Sequence, residues 1–369
     1  MSFIADRMNK IDASGIRKAF ALAATLKDPI NLSIGQPDYD VDESVKQEAI
    51  AHILSGDNGY TQTWGIETLR EACSEYYKDR FGVPLENVMI TCGVSGGLFL
   101  GLLATLNPGD EVLFADPYFV MYKHLVNVLG GVSVPVNTYP DFKLKAADVE
   151  KAVTEKTKIL VVNSPSNPTG VTLSATELRS LADVARRHNL LIISDEIYEQ
   201  LSYDEDSATL AGLYDNVLLL NGFSKMAAMT GWRVGFAAGP EDLIQHMNTL
   251  QQYTFVCAPS FAQHAAIVAL KHDHSAKVEA YREKRDIMYS GLKENFSVIK
   301  PGGAFYLFPE APNGDGEAFA AKAIEKNLIV IPGNVFSERN THIRISFAAP
   351  NETLHRGLDV LNSLANELS

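Results

Sequence analysis

The stretch Val217-Leu-Leu-Leu-Asn-Gly-Phe-Ser-Lys-Met-Ala-Ala-Met-Thr-Gly-Trp-Arg-Val-Gly-Phe236 decides how this chain reads. Its first four residues are an apolar run with the pattern of a buried strand. The residues after that run include one lysine, Lys225, and eight positions later one arginine, Arg233, in otherwise small or apolar company. Small residues around a lone lysine mean a backbone that something approaches closely. A lysine held in such a site can lose its proton and act as an amine nucleophile. Taken alone, a lysine after a core strand is more often an ordinary surface residue. The rest of the chain decides between the two readings.

Outward from this stretch, short runs rich in Val and Ile alternate with helical patterns. The predicted strands are Val88–Thr91, Glu111–Ala115, Val132–Val136, Ile159–Asn163, Leu190–Ser194, Val217–Leu220 and Val234–Ala238, with Ser174–His188 one of the helices between them. That alternation predicts an α/β fold, a mainly parallel sheet with helices on both faces. Functional groups then belong at the carboxyl ends of the strands. Ahead of this region lie a predicted amphipathic helix, Ser14–Leu26, a turn-rich segment, Asn31–Asp38, and a helix, Asp42–Leu54, with Asp42 as its cap. The loop Gly59–Gly65, with two aromatics, and the helix Thr68–Arg80 come next. Beyond Pro240 the pattern is mostly helical, including the long charged Lys277–Asn295. The chain closes with short strands (Ala304–Phe308, Ile343–Phe347) and a helix, Glu352–Leu368, the pattern of a smaller α+β domain. The expected division is 1–30, a segment joining the small domain; 31–280, the large domain; and 281–369, the small domain.

The chain has 369 residues, 46% hydrophobic and 21% charged, enough for a large core and two domains. A net charge of -13 argues against a nucleic-acid or anionic-membrane partner. The three scattered cysteines, Cys73, Cys92 and Cys257, suggest neither a disulfide framework nor a metal site, so a reducing cytoplasm fits. Met1–Lys10 lacks the apolar core of a signal peptide. No run is long and apolar enough to span a membrane.

Four strand-end motifs accompany Lys225. Cys92-Gly-Val-Ser-Gly-Gly-Leu98 opens a helix, whose amino terminus and glycines suit an anion; glycines there are also common in any crossover fold. Asp116-Pro-Tyr-Phe119 offers Tyr118 or Phe119 to lie flat on a planar ligand, or simply a core aromatic. Asn163-Ser-Pro-Ser-Asn-Pro-Thr-Gly170 presents the Asn167 amide. Ser194-Asp-Glu-Ile-Tyr198 places Asp195 after an apolar run, where a buried carboxylate needs a partner, with Tyr198 three residues on. An acid for a protonated ring nitrogen, Asn and Tyr for a ring hydroxyl, a helix terminus and an arginine for a phosphate, and a lysine for an aldehyde together fit pyridoxal 5′-phosphate.

Across essentially its whole length the chain resembles the class I/II aminotransferases of pyridoxal-phosphate fold type I, and within them the bacterial and archaeal aspartate/aromatic branch. The resemblance rests on Ser224-Lys225 with Gly231-Trp-Arg-Val-Gly235, Asn167-Pro-Thr-Gly170, Asp195-Glu-Ile-Tyr198 and Arg344-Ile-Ser346. It implies that Lys225 carries the Schiff base and shuttles the α-proton, that Asp195 keeps the ring nitrogen protonated, and that Asn167 and Tyr198 bind the ring hydroxyl. It further implies that Phe119 stacks on the ring and that Gly93, Val94, Ser95, Ser224 and Arg233 surround the phosphate. Tyr60 would reach the phosphate of a neighbouring subunit, so that a homodimer shares its two sites. Arg344 would grip the substrate α-carboxylate as a fork, and Gly35 would lie in the loop that closes over the substrate. The strand-end bonds Asp116–Pro117 and Asn167–Pro168 are expected cis.

Two positions depart from the family pattern. Gly222 stands where a phosphate-binding serine is common, and Ser95 stands where some aspartate-preferring relatives carry a lysine. The resemblance therefore implies a place in amino-acid metabolism, transferring an amino group from an aromatic or other large neutral amino acid, and possibly aspartate, to 2-oxoglutarate by a ping-pong mechanism. Tyr39, Tyr60 and Tyr118 are candidate pocket walls, and Arg17 is a candidate distal cation. The alternatives are an aspartate-preferring enzyme and a carbon–sulfur lyase on the same fold. A transcriptional regulator is disfavoured, because the segment before Ile30 is too short for a DNA-binding domain.

Overall fold

A computed structural model describes residues 3–11, 15–16 and 24–368. After a short 3-10 helix (Asp6–Lys10) and β1 (Ile30–Asn31), the chain builds a seven-stranded sheet from β2 (Met89–Thr91), β3 (Glu111–Asp116), β4 (Val132–Asn137), β5 (Thr157–Asn163), β6 (Leu191–Asp195), β7 (Val217–Gly222) and β8 (Gly235–Ala238). Their spatial order is β2-β8-β7-β6-β5-β3-β4. The neighbours from β4 to β7 pair in parallel, and β8 alone runs against both β7 and β2. Each predicted strand is present with ends moved by a residue or two. Val, Ile and Leu fill the central strands on both faces: β6 buries Ile192, Ile193, Ser194 and Asp195, and β7 buries Val217 through Asn221. Such runs sit between helical layers rather than at a wet surface.

Helix Ala175–His188 shows how the sequence sets one of those layers. Ser174 Oγ accepts from the Glu177 amide at 3.3 Å and the Glu177 carboxylate accepts from the Ser174 amide at 2.8 Å, a reciprocal cap that satisfies two orphan donors. Its buried stripe is Leu178, Leu181, Ala182, Val184 and Ala185. Helix Gly93–Thr105, which follows β2, is apolar nearly all round and is sunk into the sheet, with Gly97 and Gly101 lying under Leu220 and Leu218 of β7.

A second core gathers Ile30, Leu32, Tyr198, Tyr281, Met288, Phe305, Phe319, Leu358 and Leu361. It is built on the antiparallel order β11-β12-β9, with β9 at Tyr306–Leu307, β11 at Ile331–Pro332 and β12 at Ile343–Ser346. β10 (Leu328–Ile329) pairs in parallel with β1, which ties a segment near the start of the chain to the second core. Helices Ser275–Leu292 and Asn351–Leu368 pack against each other over this core.

The local expectations fare differently. Of the helix Ser14–Leu26, only Gly15, Ile16 and the stretch from Ala24 fall within the described residues, and Arg17 lies outside them. Asp42 precedes helix Glu43–Ser55 but makes no capping bond. Its carboxylate accepts from Lys277 Nζ at 2.5 Å, an ion-assisted bond stronger than a cap. The bonds Asp116–Pro117 and Asn167–Pro168 are both cis. Among the described residues, no helix is long and apolar enough to cross a membrane.

Candidate active site

The carboxyl ends of β5, β6 and β7, the start of helix Gly93–Thr105 and the strand β12 open onto one cavity of about 550 Å³. Lys225 enters it from the loop after β7, and its Nζ donates to the Gly35 carbonyl at 2.6 Å. Burial holds the Lys225 amine down at about 8; the Arg344 charge adds to this, Asp195 opposes it, and Arg233 adds a little more. The amine is thus closer to losing its proton near neutral pH than a solvated lysine. Rings of Tyr198 and Phe305 lie 5.6 and 5.8 Å from Nζ.

Asp195 is the last residue of β6 and is buried. One of its oxygens accepts from the Tyr122 hydroxyl at 2.7 Å and the other from the Ile197 amide at 3.3 Å. Burial raises its carboxyl above the usual range, and these two bonds pull against that rise. Tyr122 is a site residue that the sequence reading missed. It lies three residues after Phe119, on the first turn of helix Val120–Val128, and that spacing was the available signal.

Asn167 stands in the loop after β5. Its backbone N–H donates to Asn163 Oδ1 at 2.9 Å, and Asn163 Nδ2 donates to the Asp195 carbonyl at 2.9 Å, so Asn163 laces the loop to β6. Asn167 Oδ1 accepts from Arg344 Nη1 at 3.0 Å, and the Ser33 carbonyl accepts from Arg344 Nη2 at 2.8 Å. Arg344 is caged between the rings of Tyr306 and Phe336, each 4.5 Å from the guanidinium carbon. Its Nε is buried and has no hydrogen-bond partner among the described residues. Tyr306, also missed, shares a 2.9 Å hydrogen bond with the Tyr198 hydroxyl.

At the other end, Val94, Ser95, Ser224, Thr230 and Arg233 line the wall. Gly93 has φ +70 and sits under the guanidinium: a Cβ there would meet Arg233 Nη2 at 2.6 Å. Arg233 is itself left-handed (φ 57), with Nη1 donating to the Thr230 carbonyl at 2.9 Å. The departure at Gly222 has a steric reason, since a Cβ there would lie 2.8 Å from the Gly235 Cα across the β7–β8 pair. No serine fits at that position.

Phe119 lines the cavity, whereas Tyr118 points the other way and donates to Glu338 at 2.7 Å. Tyr39 is not a wall either; its hydroxyl donates to the Met226 carbonyl at 2.8 Å. Tyr60 is 87% exposed and away from the cavity of its own chain. Further walls are Ile11, Ile16, Ile34, Gln36, Val120, Met121 and His124, none of which the sequence reading proposed as a site residue.

The donor set fits pyridoxal phosphate. Asp195 turns a buried carboxylate into the cavity, as a protonated ring nitrogen requires. Phe119 offers a ring face. The glycine floor at Gly93 leaves Arg233 and the helix amino terminus bare for a phosphate. Arg344 Nε, buried and unpartnered, wants an anion.

The model of the family described as "Aminotransferase class I and II" matches residues 27–361. An aspartate aminotransferase of Pyrococcus abyssi is 37% identical, covering 99% of this chain and 98% of that one. An aromatic-amino-acid aminotransferase of Thermococcus litoralis is 36% identical, over 99% and 98%. The solved aspartate aminotransferase of Thermus thermophilus with maleate superposes with a TM-score of 0.95 at 34% identity, covering 99% of this chain and all of that one.

Proposed function

Because the chain belongs to the class I and II aminotransferase family and is a pyridoxal-phosphate-dependent transaminase, we propose that it moves an amino group from an aromatic or other large neutral amino acid to 2-oxoglutarate by a ping-pong mechanism. The observation that carries this reading is the shape of the Lys225 cavity. A caged Arg344 fork waits at one point of its wall, and Ile11, Ile16, Ile34, Val120 and Met121 form an apolar wall elsewhere. When bound, pyridoxal phosphate supplies an aldehyde to hold the amino group and a ring that draws electrons from the substrate α-carbon.

Lys225 Nζ holds and moves the proton at that α-carbon, and its lowered pKa suits the task. Asp195 keeps the ring nitrogen protonated, with Tyr122 steadying the carboxylate. Asn167 and Tyr198 orient the ring oxygen. Phe119 fixes the ring plane, while Gly93, Val94, Ser95, Ser224 and Arg233 hold the phosphate. Arg344 binds the α-carboxylate through Nε and its remaining N–H groups, and Gly35, whose carbonyl receives Lys225, belongs to the substrate loop.

The active form is a homodimer in which Tyr60 completes the partner's phosphate site. Its support is the exposed apolar set around that loop, with Leu54, Tyr60 and Tyr253 at 81%, 87% and 83%. Residues 31–280 act as the cofactor-bearing domain, and 281–369 with 1–30 as the small domain. Cys73, Cys92 and Cys257 are all free, which suits a cytoplasmic protein. A donor panel with 2-oxoglutarate, read as kcat/KM, tests the substrate reading. Phenylalanine or another large neutral donor should match or exceed aspartate. An aspartate preference of about a hundredfold, some 2.7 kcal/mol, would overturn it in favour of the aspartate enzyme. Keto-acid-independent breakdown of a sulfur amino acid would favour the lyase.

A further inference from the structure

Away from this cavity, two imidazoles and a carboxylate converge at the end of helix Glu43–Ser55. We propose that His52, Asp57 and His264 form a binding site for one zinc-class divalent cation, which clamps the loop leading to Tyr60. One ligand atom from each of the three lies within 4.8 Å of the others. His52 comes from the last turn of that helix and Asp57 from the turn after the left-handed Gly56. His264 comes from helix Ser260–Leu270, which packs against the first.

The hydrogen bonds around His52 point to a cation. Glu48 lies 3.2 Å from its Nε2 and Asp57 Oδ2 lies 2.8 Å from its Nδ1. If the Nε2 proton is given to Glu48, Nδ1 turns a lone pair towards the Asp57 carboxylate. Two facing lone pairs need a positive charge, either a second proton or a metal ion. A carboxylate on the far nitrogen is also the usual way a ligating imidazole is oriented. The 2.8 Å spacing is near the edge of a tetrahedral sphere, which is about 3.3 Å for metal–ligand bonds of about 2.0 Å. The His264 ring is stacked on His52, 3.6 Å away and 7° from parallel, so both imidazoles stand beside the same carboxylate. Because a metal lies in the plane of each imidazole it binds, occupancy turns the two rings out of parallel. Two nitrogens, one carboxylate oxygen and a remaining position for water make a donor set suited to zinc rather than to magnesium or calcium.

The turn is already tied at both sides. The Asp57 carbonyl accepts from Ser260 Oγ at 2.7 Å, and Asn58 Nδ2 donates to the Ile53 carbonyl at 3.0 Å. A cation would add a bond joining both helices three residues before Tyr60. The clamping role rests on the dimer reading above; metal binding itself does not.

Chelator-washed holoenzyme titrated with ZnCl2 by calorimetry tests the site. One ion per chain is expected, with His264→Gln and Asp57→Asn each weakening it by at least about tenfold, and both variants keeping the cofactor absorbance and circular dichroism of the parent. Absence of binding in the micromolar range, or binding unchanged in both folded variants, would overturn the proposal, because a proton on His52 would then account for the cluster. The donor panel fails or succeeds independently of this titration, so the two readings fall separately.

Discussion

The two ends of the Lys225 cavity are built differently. The cofactor end comes from neighbouring strand ends of one sheet: Asn163 at the end of β5 and Asn167 after it, Asp195 on β6 and Lys225 after β7. The substrate end is assembled from segments far apart in the chain: Ile11, Ile16, Ile34, Gln36, His124, Tyr306 and Arg344. The sheet fixes the reacting groups to the backbone ladder, where a small displacement would break hydrogen bonds. The substrate wall hangs on loops, the helix Val120–Val128, two strands of the second core (β9 and β12) and the amino-terminal segment. In the proposed reading, chemistry sits on the rigid part, and donor choice sits on the part that can vary without disturbing it.

The largest effect should come from breaking the cofactor end. Lys225→Ala should lower the transamination rate by at least about 10⁴-fold, the upper range for a lost proton-transfer group, while cofactor absorbance shows that pyridoxal phosphate still binds. Substantial turnover without added amine would remove Lys225 from that role. Asp195→Asn should cost about 10²-fold or more, since a neutral amide cannot keep the ring nitrogen protonated, with thermal stability little changed.

At the substrate end, Arg344→Gln should raise KM for every donor alike and lower kcat/KM by about 30- to 1,000-fold, the range of about 2–4 kcal/mol for losing one side of a desolvated charge pair. A loss confined to aspartate would mean that Arg344 contacts the side chain instead. The titration of Lys225 sharpens the comparison. In cofactor-free protein its reactivity towards an acylating reagent should rise with pH through a midpoint near 8, because the pKa is lowered and the neutral amine is the reactive form. A midpoint at the solvated value, about 10.4, would show that burial does not act on it. The smallest effect is expected for Tyr122→Phe. Losing its bond to Asp195 should cost about tenfold, near 1.4 kcal/mol, and move the acid limb of the rate profile upward, since that bond lowers the Asp195 pKa.

Legibility in the sequence followed the same division. Runs such as Ile159–Asn163 and Leu190–Ser194 announced their strands, because a strand covered on both faces must be apolar throughout. The groups at strand ends could then be read in order, and Asn167, Asp195, Tyr198 and Lys225 do meet at one cavity. Tyr122 was within reach of the same logic, one helical turn beyond Phe119. Tyr306, His124 and the isoleucine wall were not. The partner of Tyr306, Tyr198, lies more than a hundred residues away, and the period of a helix tells which residues are apolar but not which cavity they face, so no local pattern marks these residues as a site. Choosing between Tyr118 and Phe119 likewise needed the structure, since adjacent residues point apart and only Glu338 shows where Tyr118 goes. The Gly222 departure became intelligible only once β8 was seen to pass 2.8 Å from its missing Cβ.

The central claim is that one cavity accepts an amino group from a large neutral amino acid and returns it to a keto acid. The most direct measurement is a single half-turnover followed by cofactor absorbance. Holoenzyme mixed with phenylalanine alone should convert its bound cofactor from the aldehyde to the amine form, with one phenylpyruvate released per site, and 2-oxoglutarate should restore the aldehyde form. A cofactor that stays in the aldehyde form with phenylalanine yet converts fully with aspartate, or that releases ammonia without a keto acid, would contradict the account.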